Sequence, residues 1–408
     1  MTTPAGSSAT EALNPFVRAN PDAVFIMKTE LASTEDRQGF EEAGYRIVRA
    51  LLRQAPHDEN GGVPGGCGVR EGRPDPIIKP NVVDGNMTDH EGRPIPSDGV
   101  VTDVHFVAGI TRFLQEAGYP RITVAEGGDP RRGEDGEYTM EQIFRDRGYR
   151  EMADRLGLLL VGLNKVAYGP GELQWRSLGD RGVVFKEIPF VRPFPGEFVI
   201  NVPTLKTHYL AMTSLSAKNL QGTIAVDYRH HCQPMTMLEG YPPELLEHFQ
   251  PDFADRVKRL CERHEREGYW RMNVQYELFA QRTCDTILAM RPQPSINIIE
   301  GIRGRDGTAF RSGRDWLTNL VVAGVNPVNV DTVASFLMGQ TPKAVVAYLR
   351  IAEERGLGTC DPFAITTYVV DDDGAFKPCE RLSDYQVQPF LDVETGNGSL
   401  HATRGYRA

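Results

Sequence analysis

Short apolar runs alternate with apolar stripes at helical spacing along most of the chain. AVFIMK (23–28) reads as a first strand. Over 36–54, Phe40, Ala43, Ile47 and Leu51 recur on one face, the spacing of an amphipathic helix. PIIKPNVVDGN (76–86) is a second strand running into a loop that continues to about Pro96. A helix follows from about Thr102, with Val104, Val107, Ile110 and Leu114 on its buried face. RITVAEGG (121–128) is a third strand, ending on Glu126 and two glycines. Residues 139–156 read as helical with a break at Gly148, and LLLVGLN (158–164) as a fourth strand. VVFKEI and EFVINV, within 182–202, are further β runs. SINIIEGI (295–302) and NLVVAGVN (319–326) are strands, with the glycine-rich loop GIRGRDGTAFRSG between them. Asn326 caps a helix opened by Pro327 that buries Val330, Val333, Ala334 and Leu337. A last amphipathic helix covers 342–355.

The remaining stretches set the domain plan. Residues 1–20 are small and polar, the pattern of a loose tail. HDENGGVPGGCGVREGRPD (57–75) has almost nothing apolar to bury and reads as a surface loop. The long, charged, helical block 241–290, interrupted at Gly268, suggests a helical insertion or cap at about 235–290. After about Asp371 the pattern fades into a polar C-terminal extension, 371–408. Strands alternating with helices predict one α/β domain over 21–370, with a mostly parallel or mixed sheet and helices on both faces.

Composition narrows the class. The 408 residues are 40% hydrophobic and 25% charged, enough for a sizeable core in a globular chain. A net charge of −10 argues against nucleic acid as a partner. The six cysteines, Cys67, Cys232, Cys261, Cys284, Cys360 and Cys379, form no CxxC pair. Neither an iron–sulfur cluster nor a zinc ribbon is expected, and scattered thiols suggest a reducing compartment. The first residues lack a basic and an apolar signal region, and no run of about 18 apolar residues exists. The expectation is a cytoplasmic protein without a membrane span; homo-oligomerisation stays open.

The stretch 199–222, VINVPTLKTHYLAMTSLSAKNLQG, concentrates the candidate chemistry. The apolar run Phe198–Val202 should stop at Pro203, which cannot donate to a ladder. Lys206, Thr207 and His208 follow, then Lys218, Asn219 and Gly222. Open α/β sheets place ligands at the carboxyl ends of their strands, here those leading into Lys79, Glu126, Lys206 and Glu300. Lysine offers three donors, threonine a hydroxyl, and histidine a proton exchangeable near neutral pH. Such a set suits a phosphate or carboxylate, or proton transfer beside one. Ser216 adds a hydroxyl. Lys79, flanked by buried positions in IIKPNVV, needs a partner, because burying an unpaired ammonium costs several kcal/mol. Asn81 lies beside it. Together Lys79, Lys206, His208 and Lys218 would make a cationic pocket in an acidic protein.

Other polar residues keep more than one reading. Glu126 suits a general base, a metal ligand or the partner of a buried lysine. His105 sits at the edge of a buried helix face, Asp306 suits a lysine or a metal, and Asp331 lies one turn into its helix. His230 and His231, with Asp227 and Cys232, invite a metal, but adjacent side chains diverge and a surface loop is the simpler reading. GIRGRDG (301–307) is neither a Walker motif nor G-x-G-x-x-G.

Several blocks appear in a family order: KPNVV (79–83), VTDVHFVAGITRFLQEAG (101–118), VPTLKTH (202–208), SLSAKNLQG (214–222), EGIRGRDG (300–307) and AGVNPVNVDTVASFLMG (323–339). The chain resembles the family of domain of unknown function 362 over roughly 75–370. The resemblance implies a shared pocket without naming its chemistry. Many members carry an appended four-iron cluster domain with clustered cysteines, which this sequence does not match. The reading is an enzyme acting on a small anionic metabolite bearing a carboxylate or phosphate. Lys79, Asn81, Thr207, Ser216, Lys218 and Asn219 bind it, and His208, Glu126 and Lys206 form the catalytic set, with His208 or Glu126 moving the proton. One alternative is a redox protein dependent on a divalent metal or another cofactor, with ligands from His105, His208, Glu126, Asp306 and Asp331. The other is a binding module without catalysis.

Overall fold

The computed structural model describes residues 11–52, 74–83, 98–119, 121–128, 140–194, 198–229, 246–266, 271–292, 294–308, 312–395 and 398–400. The expected surface loop at 57–75 therefore falls almost wholly outside the described residues, as do His230, His231 and the start of the 235–290 block.

In chain order the strands are β1 (Val24–Lys28), β2 (Pro76–Pro80), β3 (Thr123–Glu126), β4 (Leu159–Gly162), β5 (Leu173–Ser177), β6 (Glu187–Val191) and β7 (Phe198–Val202). They continue with β8 (Thr204–His208), β9 (Met212–Ser214), β10 (Ile296–Arg305), β11 (Asp315–Gly324), β12 (Thr367–Val370) and β13 (Phe376–Pro378). One eleven-stranded mixed sheet runs β13-β12-β1-β11-β10-β7-β2-β3-β4, with β8 paired to β10 and β9 to β8. The half from β10 to β4 is parallel. β5 and β6 form a separate antiparallel pair. The class is α/β, with helices on both faces.

Successive residues of a strand point to opposite faces, and the two cores follow that alternation. Phe25, Ile78, Val124, Ile200 and Ile298 face the helices Arg37–Leu51 and Val104–Glu116, meeting Phe40, Ile47, Phe106 and Ile110. Those two helices touch through glycine. A Cβ on Gly44 would lie 2.1 Å from the Phe106 carbonyl oxygen, and one on Gly109 would lie 1.8 Å from that of Glu41. On the opposite face Val24, Ile26, Ile299 and Val322 meet Val330, Val333 and Leu337 of Pro327–Leu337. Farther along that face Ile77, Ala125 and Val199 join Leu278, Ile287 and Leu349.

Several boundaries differ from the sequence reading. Within the expected tail, Pro15–Ala19 is a short helix capped by Asn14, and it buries Val17. Pro203 interrupts only the ladder, because β8 resumes at once and pairs with β10 and β9. The first five residues of the supposed glycine-rich loop, 301–305, are strand. β10 runs on to Arg305 and β11 begins at Asp315, with a shift in register between Gly301 and Arg303 absorbing the irregularity. Part of the C-terminal extension joins the sheet, since Phe376–Pro378 pairs with β12. Of the 241–290 block, helix Arg271–Met290 is built into the core through Leu278, Cys284, Ile287 and Met290. Among the described residues no helix is long and apolar enough to cross a membrane.

Candidate functional site

Parallel strands β7, β2 and β3 lie side by side, and each carries a polar residue at its carboxyl end or one position before it: Asn201, Lys79 and Glu126. Lys79 is completely buried on β2, so its ammonium requires acceptors. Its Nζ donates to Glu126 Oε1 at 2.9 Å and Oε2 at 2.8 Å, to the Pro80 carbonyl at 2.8 Å and to Asn219 Oδ1 at 3.2 Å. Burial pushes the Lys79 ammonium below the usual lysine range, and the facing Glu126 opposes that shift. Glu126 also accepts the Val82 N–H at 3.0 Å. Of its three readings, partner of a buried lysine is the arrangement formed.

A row of amides crosses the sheet at this level. Lys79 pairs in register with Asn201, Asn201 with Asn297, and Asn297 with Gly324. Asn219 Nδ2 donates to Asn201 Oδ1 at 2.8 Å, and Asn201 Nδ2 donates to Asn297 Oδ1 at 2.8 Å. Asn297 Nδ2 ends the row on the Val325 carbonyl at 2.9 Å. Asn81 joins from the side, its Nδ2 donating to Asn219 Oδ1 at 3.2 Å.

β8 brings the second group of candidates. Lys206 is buried, and its Nζ donates to Asn81 Oδ1 and to the Val100 carbonyl. Thr207 Oγ1 donates to the Gly307 carbonyl at 2.9 Å. His208 is buried against Tyr209 and Phe279. Its Nδ1 accepts the Leu210 N–H at 3.0 Å and the Ala211 N–H at 3.2 Å. Burial, then the charges of Lys218 and Lys206, hold the imidazole well below its usual range. His208 is therefore neutral, with its proton on Nε2, which makes it a donor rather than a base near neutral pH.

Lys218 and Asn219 stand on the one-turn helix Ser216–Asn219. The charge of Lys218 is felt at both Lys79 and His208, so the four cationic candidates share one neighbourhood. Lys218 is half-buried and has no hydrogen bond or ion pair among the described residues. The helix is anchored by Asp331, which accepts the Ser216 N–H at 2.7 Å and the Ala217 N–H at 2.9 Å.

The family of domain of unknown function (DUF362) matches residues 77–335, more than half of the chain. The chain belongs to this family. No curated protein and no solved structure matches it. The DUF362 match spans every group just described, from Lys79 to Asp331.

Of the five side chains the metal alternative would draw on, Glu126 and His208 are engaged as described above, and His105, Asp306 and Asp331 are used separately in this DUF362 chain. His105 Nδ1 faces Asp103 Oδ1 at 3.0 Å, in an open cleft of about 200 Å³ that is also lined by Arg37, Arg147 and Arg303. Asp306 accepts the Arg314 N–H at 2.6 Å and the Trp316 indole N–H at 2.8 Å, tying the ends of β10 and β11. Asp331 caps the one-turn helix. Among the described residues no three histidine, cysteine or acidic side chains gather as a metal set. Glu300 is buried at the register shift of β10, where its Oε1 accepts the Ile302 N–H at 3.0 Å and the Arg303 N–H at 3.2 Å. Burial, then the nearby Asp103, pushes its carboxyl up to about 7.

Three contributors were not picked out from the sequence. Asn201 and Asn297 interrupt VINV and INII, and a lone amide inside an apolar strand is a legible signal of a buried polar contact. Arg229 is buried, and its guanidinium donates to the carbonyls of Gly127, Gly128, Gly222 and Ile224. It ties the glycines after Glu126 to the end of the Lys-Asn-Leu-Gln-Gly block. Gly222 has no room for a side chain, because a Cβ there would lie 2.6 Å from Glu126 Oε1 and 2.8 Å from Lys79 Nζ.

Proposed function

We propose that this DUF362 protein is an enzyme acting on a small metabolite that carries a carboxylate or phosphate. The observation that carries the reading is Lys218, a half-buried ammonium without a partner among the described residues, beside Lys79 and His208. Lys79 already has Glu126 as its counter-ion. An anion would supply the charge that Lys218 lacks, in surroundings where low polarity strengthens the attraction. His208 then acts as a neutral donor through Nε2 toward oxygen on the bound molecule, a role suited to stabilising negative charge that develops there. Glu126 and Lys79 serve as a fixed pair behind the site. The free thiols Cys284, Cys360 and Cys379 fit a reducing, cytoplasmic setting for this chemistry.

The test combines native mass spectrometry of the purified chain with calorimetric titration of inorganic phosphate and a series of mono- and dicarboxylates. The reading expects at least one anion to bind. Lys218→Gln should weaken that binding about tenfold or more, the worth of one charge-assisted contact. Equal affinity in Lys218→Gln would sink the assignment of the site. An anion that binds but is never transformed would make the protein a binding module.

A further inference from the structure

Asp331 lies on the helix Pro327–Leu337, outside the strands that carry Lys79, Glu126 and Lys206. Its side chain is completely buried and joins the one-turn helix of the candidate site to Tyr348 on the helix Ala347–Glu354. One carboxylate oxygen accepts the Ser216 N–H and the other accepts the Ala217 N–H. The Tyr348 hydroxyl donates to Oδ2 at 3.0 Å and contacts Thr213 Oγ1 at 3.2 Å, which in turn accepts from Ser335 Oγ at 3.2 Å. The amides that Asp331 holds open the turn that ends in Lys218 and Asn219. Four residues cannot form a stable helix unaided, so this turn depends on outside contacts for its shape.

We infer that Asp331 is a positioning residue: its ionised carboxylate, oriented by Tyr348, sets where Lys218 and Asn219 stand, and protonation of that carboxylate loosens them. Hydrogen bonds to an ionised acceptor are roughly twice as strong as neutral ones. A proton on either oxygen removes that strength and turns an acceptor into a donor that faces an N–H group. Burial lifts the Asp331 carboxyl to about 7, against the pull of the two amides and the Tyr348 hydroxyl, so the change falls near neutrality. The titratable neighbours stay silent there. Burial raises Tyr348 well above its usual value, and it raises Cys284, which meets the Tyr348 carbonyl, to about 12. Thr213 on β9 and Ser335 on the Asp331 helix carry no charge. Lys218 is the charged residue on the turn itself.

That Lys218 meets an anion rests on the function proposed above, whereas the positioning role can be read without any anion. Amide hydrogen exchange of the full chain, resolved at residues 216–219 and corrected for intrinsic rates, is measured from pH 5.5 to 8.5. Local opening of the turn takes the two amide donors from a carboxylate that stays buried, and so raises its pKa further. Wild-type protection of Ser216 and Ala217 against that opening should therefore rise as pH passes through about 7. Asp331→Asn should lose about tenfold in protection at pH 8 and show no such rise. Tyr348→Phe keeps the carboxylate but removes a donor that favours its ionised form, so the midpoint should move to higher pH. A purely structural Asp331 would not give that displacement, and Tyr348→Phe keeps the test open if Asp331→Asn fails to fold. Wild-type protection that is flat with pH, an Asp331→Asn variant as protected as the wild type, or a Tyr348→Phe midpoint that stays in place would each overturn the inference. If these results hold while no anion binds, the positioning role stands and the proposed function falls.

Discussion

Lys79 and Glu126 face each other as a completely buried ion pair, with both carboxylate oxygens within 2.9 Å of the ammonium. Neither group reaches water, so each depends on the other. Lys79→Met and Glu126→Gln, taken singly, should each destabilise the fold by about 3–5 kcal/mol in urea melts. The double variant should recover a substantial part of that loss. Single variants within about 1 kcal/mol of the wild type would contradict the burial of the pair.

Glu300 predicts a pH dependence of the opposite kind from ordinary surface acids. Its folded value of about 7 lies above the unfolded value, so the folded state holds the proton more tightly. The contribution is fully present below about pH 4.3 and is lost as pH rises through about 7. Glu300→Gln cannot titrate. Relative to this variant, the wild type should lose stability on the order of 3 kcal/mol between pH 4.5 and 8.5, read by urea denaturation. A constant difference across that range would refute it.

His208 carries the reverse sign. Its folded value lies well below the usual imidazole range, so the unfolded chain binds the proton more readily. The corresponding stability is present above about pH 6.5 and is lost as pH falls below it. His208→Gln keeps an acceptor for the Leu210 and Ala211 amides while removing the titration. Compared with this variant, the wild type should weaken on going from pH 7.5 to 5. Parallel stability curves for the two proteins would show that the imidazole is not held neutral.

Asn297 is central to the amide row. Asn297→Leu takes the acceptor from Asn201 Nδ2 and the donor from the Val325 carbonyl. Leaving buried polar groups unmet costs about 1–3 kcal/mol each, so the melting midpoint in urea should drop clearly. Substitution without a measurable effect would mean that water or a rearranged amide fills the gap.

How much of this was legible depends on whether a residue contrasted with its neighbours. Lys79 stood out because a charge inside IIKPNVV has to be buried and partnered, and Glu126 was among the groups suited to partner it. Lys206, His208 and Lys218 gathered as their spacing around one strand end suggested. Asn201 and Asn297 were passed over because the mean apolarity of their strands hid a single amide. Arg229 is next to His230 and His231 in sequence, where a lone arginine in a polar stretch carries no signal of burial. The extension of β10 to Arg305 ran against local propensity, since glycine and charge usually mark a loop. There β11 supplies the ladder partners, and Arg305 meets Asp315 Oδ1 at 2.6 Å.

The amide row also bears on how the sheet finds its alignment during folding. Most of the side chains of β7 and of the first half of β10 are interchangeable hydrocarbons, and such strands could slide past one another at little cost in burial. Asn201 and Asn297 remove that freedom. A slip of one position between these two strands would leave the two amides on opposite faces of the sheet, parting them from each other and stranding several buried polar atoms at once. Two ordinary asparagines thus act as the notches of a key, selecting one pairing of the central strands and, through Asn219, tying that pairing to the ion pair of Lys79 with Glu126.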